Sequence, residues 1–221
     1  MNDNLTDITF LLDRTGSMRS RKEETIQGFN AFIEDQRTGA GDCLMTLIQF
    51  DSDDPKEIVY EAKPIAEAPF LSNETFVPRG WTPLRDALGY AIVKTGERLD
   101  RIAEKDKPSK VIFVVFTDGE ENWSREYTQE KIREMVNHQR DKYNWQFIFI
   151  GADIDAFAQG GGIAMAAPMT IGTVGITGMS AGLSSTSENI KAYRVSSATG
   201  SLHYTKDQRD EAETGTDASK K

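Results

Sequence analysis

Val111-Ile112-Phe113-Val114-Val115-Phe116-Thr117-Asp118-Gly119 is the stretch that decides the fold. An unbroken apolar run of this length marks a strand covered on both faces. That is the habit of parallel sheets, whose crossover segments lie on both sides. Working outward, Asp7-Ile8-Thr9-Phe10-Leu11-Leu12 reads as a first buried strand ending at Asp13, and Trp145 to Ile150 as a further apolar strand, closed by Gly151. The segments between them are amphipathic at helical spacing. Residues 18 to 36 carry Ile26, Phe29 and Ile33 on one stripe. From Pro83, which suits a first helical turn, Leu84, Ala87, Leu88, Ala91, Ile92 and Leu99 line one face. A helix from about Glu126 to Tyr143 turns Ile132, Met135 and Val136 inward. Cys43 to Phe50 and Glu57 to Ala62 predict a hairpin around Asp51-Ser52-Asp53-Asp54-Pro55.

Pro64 to Trp81, interrupted by Pro69 and Pro78, reads as a loop. Beyond Gly151 the pattern predicts a short helix at 154–159, a strand at 165–171 and a helix at 180–193. The fold class expected is α/β. A doubly wound, mostly parallel central sheet carries helices on both faces and one antiparallel edge strand. This domain is expected to span residues 1–196. Residues 197–221 are polar and predict a flexible tail, with Lys206 to Lys221 solvated.

Composition narrows the function classes. With 38% hydrophobic and 28% charged residues, the chain has the make-up of a soluble globular protein. It contains no apolar run long enough to span a membrane. Its first residues lack the basic start and apolar core of a secretory signal, and a single cysteine, Cys43, suits a reducing compartment. The expected location is the cytoplasm. The formal net charge of −9 repels nucleic-acid phosphates and anionic lipid and attracts cations.

In open α/β sheets, ligands bind beyond the carboxyl ends of the strands. Three polar stretches fall there: Asp13-Arg14-Thr15-Gly16-Ser17, Gly80-Trp81-Thr82-Pro83-Leu84 and Thr117-Asp118-Gly119. Asp13 and Asp118 end central strands, so two like charges would share one place unless a cation lay between them. Thr15, Ser17 and Thr82 add hydroxyl oxygens. Such a set suits a hard octahedral cation, Mg2+ or Mn2+. Zinc prefers thiolate or imidazole, and Cys43, His138 and His203 are far apart in sequence.

Asp13-x-Thr15-x-Ser17, then Thr82, then Asp118 resembles the metal-ion-dependent adhesion site (MIDAS) of von Willebrand factor A (vWA) domains. The flanks Leu11-Leu12-Asp13-Arg14-Thr15-Gly16-Ser17-Met18, Thr82-Pro83-Leu84-Arg85-Asp86-Ala87-Leu88 and Thr117-Asp118-Gly119-Glu120-Glu121-Asn122 are most similar to the stand-alone versions encoded by bacteria and their phages. The likeness covers roughly residues 5 to 195. It implies that the metal is held by Asp13, Thr15, Ser17, Thr82 and Asp118. It also implies one position left open to an Asp or Glu carboxylate from a partner protein. Thr15 stands where Ser is commoner, which keeps the hydroxyl and adds a methyl.

Each motif has a plainer reading. Asp13, Thr15, Ser17 and Thr82 are all good helix caps, and Asp118-Gly119 is an ordinary turn pair. Glu120 and Glu121 read as solvated loop charges, and the Asp51 region as a hairpin tip without the Gly and distal Glu of a calcium loop. Trp81 reads equally as a partner contact or as packing under its loop. Cys43 reads as a buried small hydrophobe and His138 as a surface residue. A Mg2+-dependent phosphatase would place a second Asp two residues after Asp13, where Thr15 stands, and no nucleophile or general base accompanies the cation. The expectation is therefore a binding module and no enzyme. The competing class is a scaffold or adaptor, for a ring ATPase or a phage structure, with a purely structural metal.

Overall fold

Alternation within the apolar runs decides which face each side chain covers. The computed structural model describes residues 1–152, 162, 167–171, 175–196 and 202–214. Six strands form one sheet: β1 (Asn2–Asp13), β2 (Asp42–Phe50), β3 (Glu57–Pro64), β4 (Pro108–Thr117), β5 (Gln146–Ala152) and β6 (Ala167–Ile171). Their order is β3-β2-β1-β4-β5-β6, with β3 antiparallel at one edge and every other pairing parallel. Among the described residues the α-helices are α1 (Lys22–Arg37), α2 (Leu84–Asp100), α3 (Gln129–Tyr143), α4 (Gly175–Val195) and α5 (Lys206–Thr214).

Ile8, Phe10 and Leu12 of β1 and Ile112, Val114 and Phe116 of β4 cover one face, under Phe29, Phe32 and Ile33 of α1 and Ile190 of α4. Leu11, Phe113 and Val115 cover the other, under Leu84, Leu88 and Ile92 of α2 and Ile132 and Val136 of α3, with Met135 half-buried beside them. The doubly wound sheet with one antiparallel edge strand is thus the observed architecture. No helix among the described residues is long and apolar enough to cross a membrane.

Besides α4, which begins at Gly175 rather than near residue 180, two helix starts differ from the periodic reading. Residues 16–21 form a 3-10 turn before α1, with Met18 in the core. α3 starts at Gln129, where Thr128 Oγ1 accepts the Lys131 amide at 3.2 Å. Both shifts lie in loops at the carboxyl end of the sheet, where side-chain hydrogen bonds compete with helical ones.

The polar C-terminal stretch also differs from expectation. Residues 206–214 are helical, and Leu202, Tyr204 and Ala212 are buried in the first core. The Tyr204 hydroxyl lies 2.6 Å from Thr186 Oγ1 on α4. A few well-placed apolar bodies dock a segment whose average composition is hydrophilic. Tyr204→Phe is expected to lower stability by about 1 kcal/mol, the net worth of one buried hydrogen bond. Chemical denaturation checks this, and an unchanged midpoint would mean that the hydroxyl contact adds nothing. The short helix expected at 154–159 lies outside the described residues.

Candidate metal centre

The parallel register between β1 and β4 pairs Leu12 with Phe116, which brings Asp13 and Thr117 side by side at the carboxyl end of the sheet. Thr117 Oγ1 donates to Asp13 Oδ2 at 2.5 Å, and the Thr15 amide donates to Asp13 Oδ1 at 2.7 Å. Asp13 is thereby fixed, fully buried, at the centre of the sheet. Ser17 Oγ donates to Asp118 Oδ1 at 2.5 Å and lies 3.1 Å from Thr15 Oγ1. Thr82 Oγ1 stands 3.5 Å from Thr15 Oγ1. The five residues read from the sequence therefore converge.

Gly119 shows how tightly. A methyl group placed on it would meet Thr82 Oγ1 at 3.0 Å, Ser17 Oγ at 3.6 Å and Asp13 Oδ2 at 3.8 Å. Oxygens from two loops thus face one small volume beside the Gly119 loop, which a side chain would fill. Among the described residues no three His, Cys, Asp or Glu side chains cluster to hold a metal. The donor set here is two carboxylates and three hydroxyls, so a hard cation fits it and a thiophilic one does not.

The hydroxyls are not spent on helix capping. Thr15 occupies the cap position of the 3-10 turn, yet its side chain makes no capping bond. α2 starts from Pro83, one residue after Thr82. The plainer reading survives in part for Asp13, which does accept a nearby amide.

Burial pushes Asp13 up to about 7, against the bonds from Thr117 and Thr15, and Asp118 is raised as well, chiefly by burial. A carboxyl raised in the folded state disfavours folding once it ionises. In chelator, the contribution of Asp13 is therefore most favourable below its ordinary value of 3.8 and is lost as pH rises to about 7. Melting temperatures in chelator should fall across that window, and Asp13→Asn should flatten the fall. Equal slopes in the two proteins would contradict this assignment.

No protein-family model matches the sequence, and no curated protein does. Solved structures do match. Proximal thread matrix protein 1 from the mussel byssus aligns with a TM-score of 0.57 at 18% identity, covering 81% of this chain and 46% of that one. A second structure of it has a zinc-occupied MIDAS motif. A von Willebrand factor type A structure from Catenulispora acidiphila gives 0.52 at 12% identity, covering 85% of this chain and 42% of that one. The pilus adhesin SpaC from Lactobacillus rhamnosus GG gives 0.59 at 15% identity, covering 84% and 30%.

The chain has the vWA fold.

It spans less than half the length of each of these structures. Within the vWA fold, several residues that sequence reading passed over hold the loops in place. Asp51 is no mere hairpin tip. It is fully buried, accepts the amides of Asp53 and Asp54 at 2.7 and 2.9 Å, and takes Arg14 Nε at 2.8 Å and Arg79 Nε at 3.0 Å. Burial works against its ionisation, but the Asp54 amide and Arg14 hold it below the ordinary carboxylate range. Arg14 and Arg79 in turn anchor the first motif, since the Arg14 carbonyl accepts the Arg79 amide at 2.9 Å. Gly80, with φ +67°, passes so close that a methyl would meet Ser52 Oγ at 2.4 Å, and its carbonyl accepts the Gly16 amide at 3.1 Å.

Glu121 is likewise no solvated charge. It accepts the amides of Arg85, Trp123 and Ser124 at 2.8, 2.9 and 2.7 Å. Asp86 accepts those of Arg125, Glu126 and Tyr127. Two carboxylates thus fasten the β4–α3 loop to the start of α2, while Asn122 Oδ1 accepts the Thr82 amide. Glu120 is exposed, as is His138. Cys43 is buried, and burial pushes its thiol up to about 12.

Proposed function

We propose that this chain is a binding module, and no enzyme, that holds one Mg2+ or Mn2+ through Asp13, Thr15, Ser17, Thr82 and Asp118. It offers the metal to an Asp or Glu of a partner protein. The observation that carries the reading is the convergence of two carboxylates and three hydroxyls on one volume beside Gly119. Hydroxyl donors leave a bound cation electrophilic, and a ligand shell completed from outside gives it a reason to bind a carboxylate. The mussel protein with zinc in its MIDAS motif supports divalent-metal binding in general. The all-oxygen set here favours Mg2+ or Mn2+. Thr15, standing where a phosphatase needs its general acid, supports the non-catalytic assignment. The unpaired Cys43 supports a cytoplasmic setting.

The test is a titration with Mn2+ read by calorimetry, followed by selection of a random-peptide library with one fixed Asp in millimolar Mg2+. Peptides should bind with metal, lose binding in chelator, and lose it again when the fixed Asp becomes Asn. Absence of Mn2+ binding would overturn the metal assignment. Binding that persists in chelator would favour the scaffold class, with the metal structural.

A further inference from the structure

Two indoles frame the Thr82 loop. Trp81 directly precedes Thr82 and is 60% exposed, and Trp123 is 38% exposed. Their rings stack with centroids 6.2 Å apart and planes 14° from parallel. The pair is held independently of any partner. The Trp81 amide donates to Ser52 Oγ at 3.0 Å, and the Trp123 amide donates to the Thr82 carbonyl at 3.2 Å and to Glu121 Oε1 at 2.9 Å. Both rings are thus mounted on the backbone of a candidate metal residue. Large indole surface left in water by rigid loops is the kind of feature that becomes an interface anchor.

Charge specifies what covers it. The Arg125 guanidinium stacks 4.5 Å above the Trp123 ring, and no carboxylate lies within ion-pair distance of it among the described residues. Asp86 holds the Arg125 amide, so the side chain starts from a fixed backbone. A stacked guanidinium keeps its donors free for a carboxylate. Cation site, indole pair and guanidinium therefore share one rim.

We infer that this rim docks an acidic segment of a partner protein that carries a bulky apolar side chain within a few residues of its metal-binding carboxylate. The apolar side chain packs on Trp81 and Trp123, and further acidic character meets Arg125. This inference rests on the metal-dependent reading above and specifies its partner.

The same library separates the two. Peptides selected in Mg2+ should be enriched in Phe, Trp, Leu or Ile near the fixed Asp. The double variant Trp81→Ala/Trp123→Ala should keep Mn2+ affinity and lose peptide affinity by about tenfold or more, as expected for aromatic anchors. Arg125→Glu, which leaves both indoles in place, should weaken the same peptides through repulsion while keeping Mn2+. Metal-dependent, Asp-dependent peptides that show no apolar preference, or that bind both variants unchanged, would overturn this inference and leave the metal reading standing. A chain that binds no Mn2+, or peptides indifferent to Asp→Asn, would overturn both.

Discussion

Replacing Asp118 with Ala is expected to erase the rise in melting temperature that the proposed site predicts for the unaltered chain in Mg2+ or Mn2+. A ligand present at about a hundred times its dissociation constant adds roughly 2.7 kcal/mol to stability. For a domain of this size that corresponds to about 5 to 10 °C. Asp118 is one of only two carboxylates in the candidate set, so its loss removes half of the formal charge that faces the cation. The fold itself should tolerate the change. Burial already raises the Asp118 carboxyl, so its charge adds no stability to the chelated protein, and Ser17 Oγ keeps Thr15 as a neighbour. Differential scanning calorimetry of both proteins, in chelator and in millimolar metal, provides the comparison. Equal metal-induced shifts in the two would remove Asp118 from the site.

The second large effect is expected at Asp51→Ala. This carboxylate gathers two guanidinium groups and two backbone amides in a place without solvent access. Removing it leaves the buried Arg14 charge only Gln49 and the ion pair with Glu57. Breaking a buried pair by deleting one partner typically costs about 3–5 kcal/mol. On this chain that is about 6 to 20 °C in melting temperature. Metal affinity should fall too, on the order of tenfold to a hundredfold, as when the residues that orient metal ligands are removed. The route is short: Arg14 sits between Asp13 and Thr15, and its amide donates to the Phe50 carbonyl at 3.0 Å, next to Asp51. Thermal unfolding in chelator reads the first effect and Mn2+ titration the second. An unchanged melting temperature would show that Glu57 and Gln49 suffice for Arg14.

Much of this was legible along the chain. The runs at Asp7 to Leu12, Val111 to Phe116 and Trp145 to Ile150 are inner strands because burial on both faces leaves few polar positions within them, the exceptions being the buried Asp7, Thr9 and Gln146. The stripes on α1, α2 and α3 were readable because one core face selects apolar residues at helical spacing. Asp13, Thr15, Ser17, Thr82 and Asp118 could be singled out because carboxylates and hydroxyls stand where strands end, and ligands collect there. The supporting residues were not legible in this way. Glu121 and Asp51 look like ordinary loop charges locally and Asp86 like an ordinary first-turn helix charge, and only their partners distinguish them. Leu202 and Tyr204 were hidden by the polar residues around them.

By itself, then, the sequence determined the succession of β1 to β6 with α1 to α4, the two-faced core and the five oxygen-bearing residues, but not α5. Each of these follows from local periodicity or from position relative to a strand end. Only the tertiary structure decided that Ser17 meets Asp118, that Arg14 meets Asp51, and that Trp81 stacks on Trp123. Those contacts join loops far apart in the chain. Strand order and register bring such loops together, and a hydrogen bond or ring contact depends on that final distance, which residue type alone does not encode.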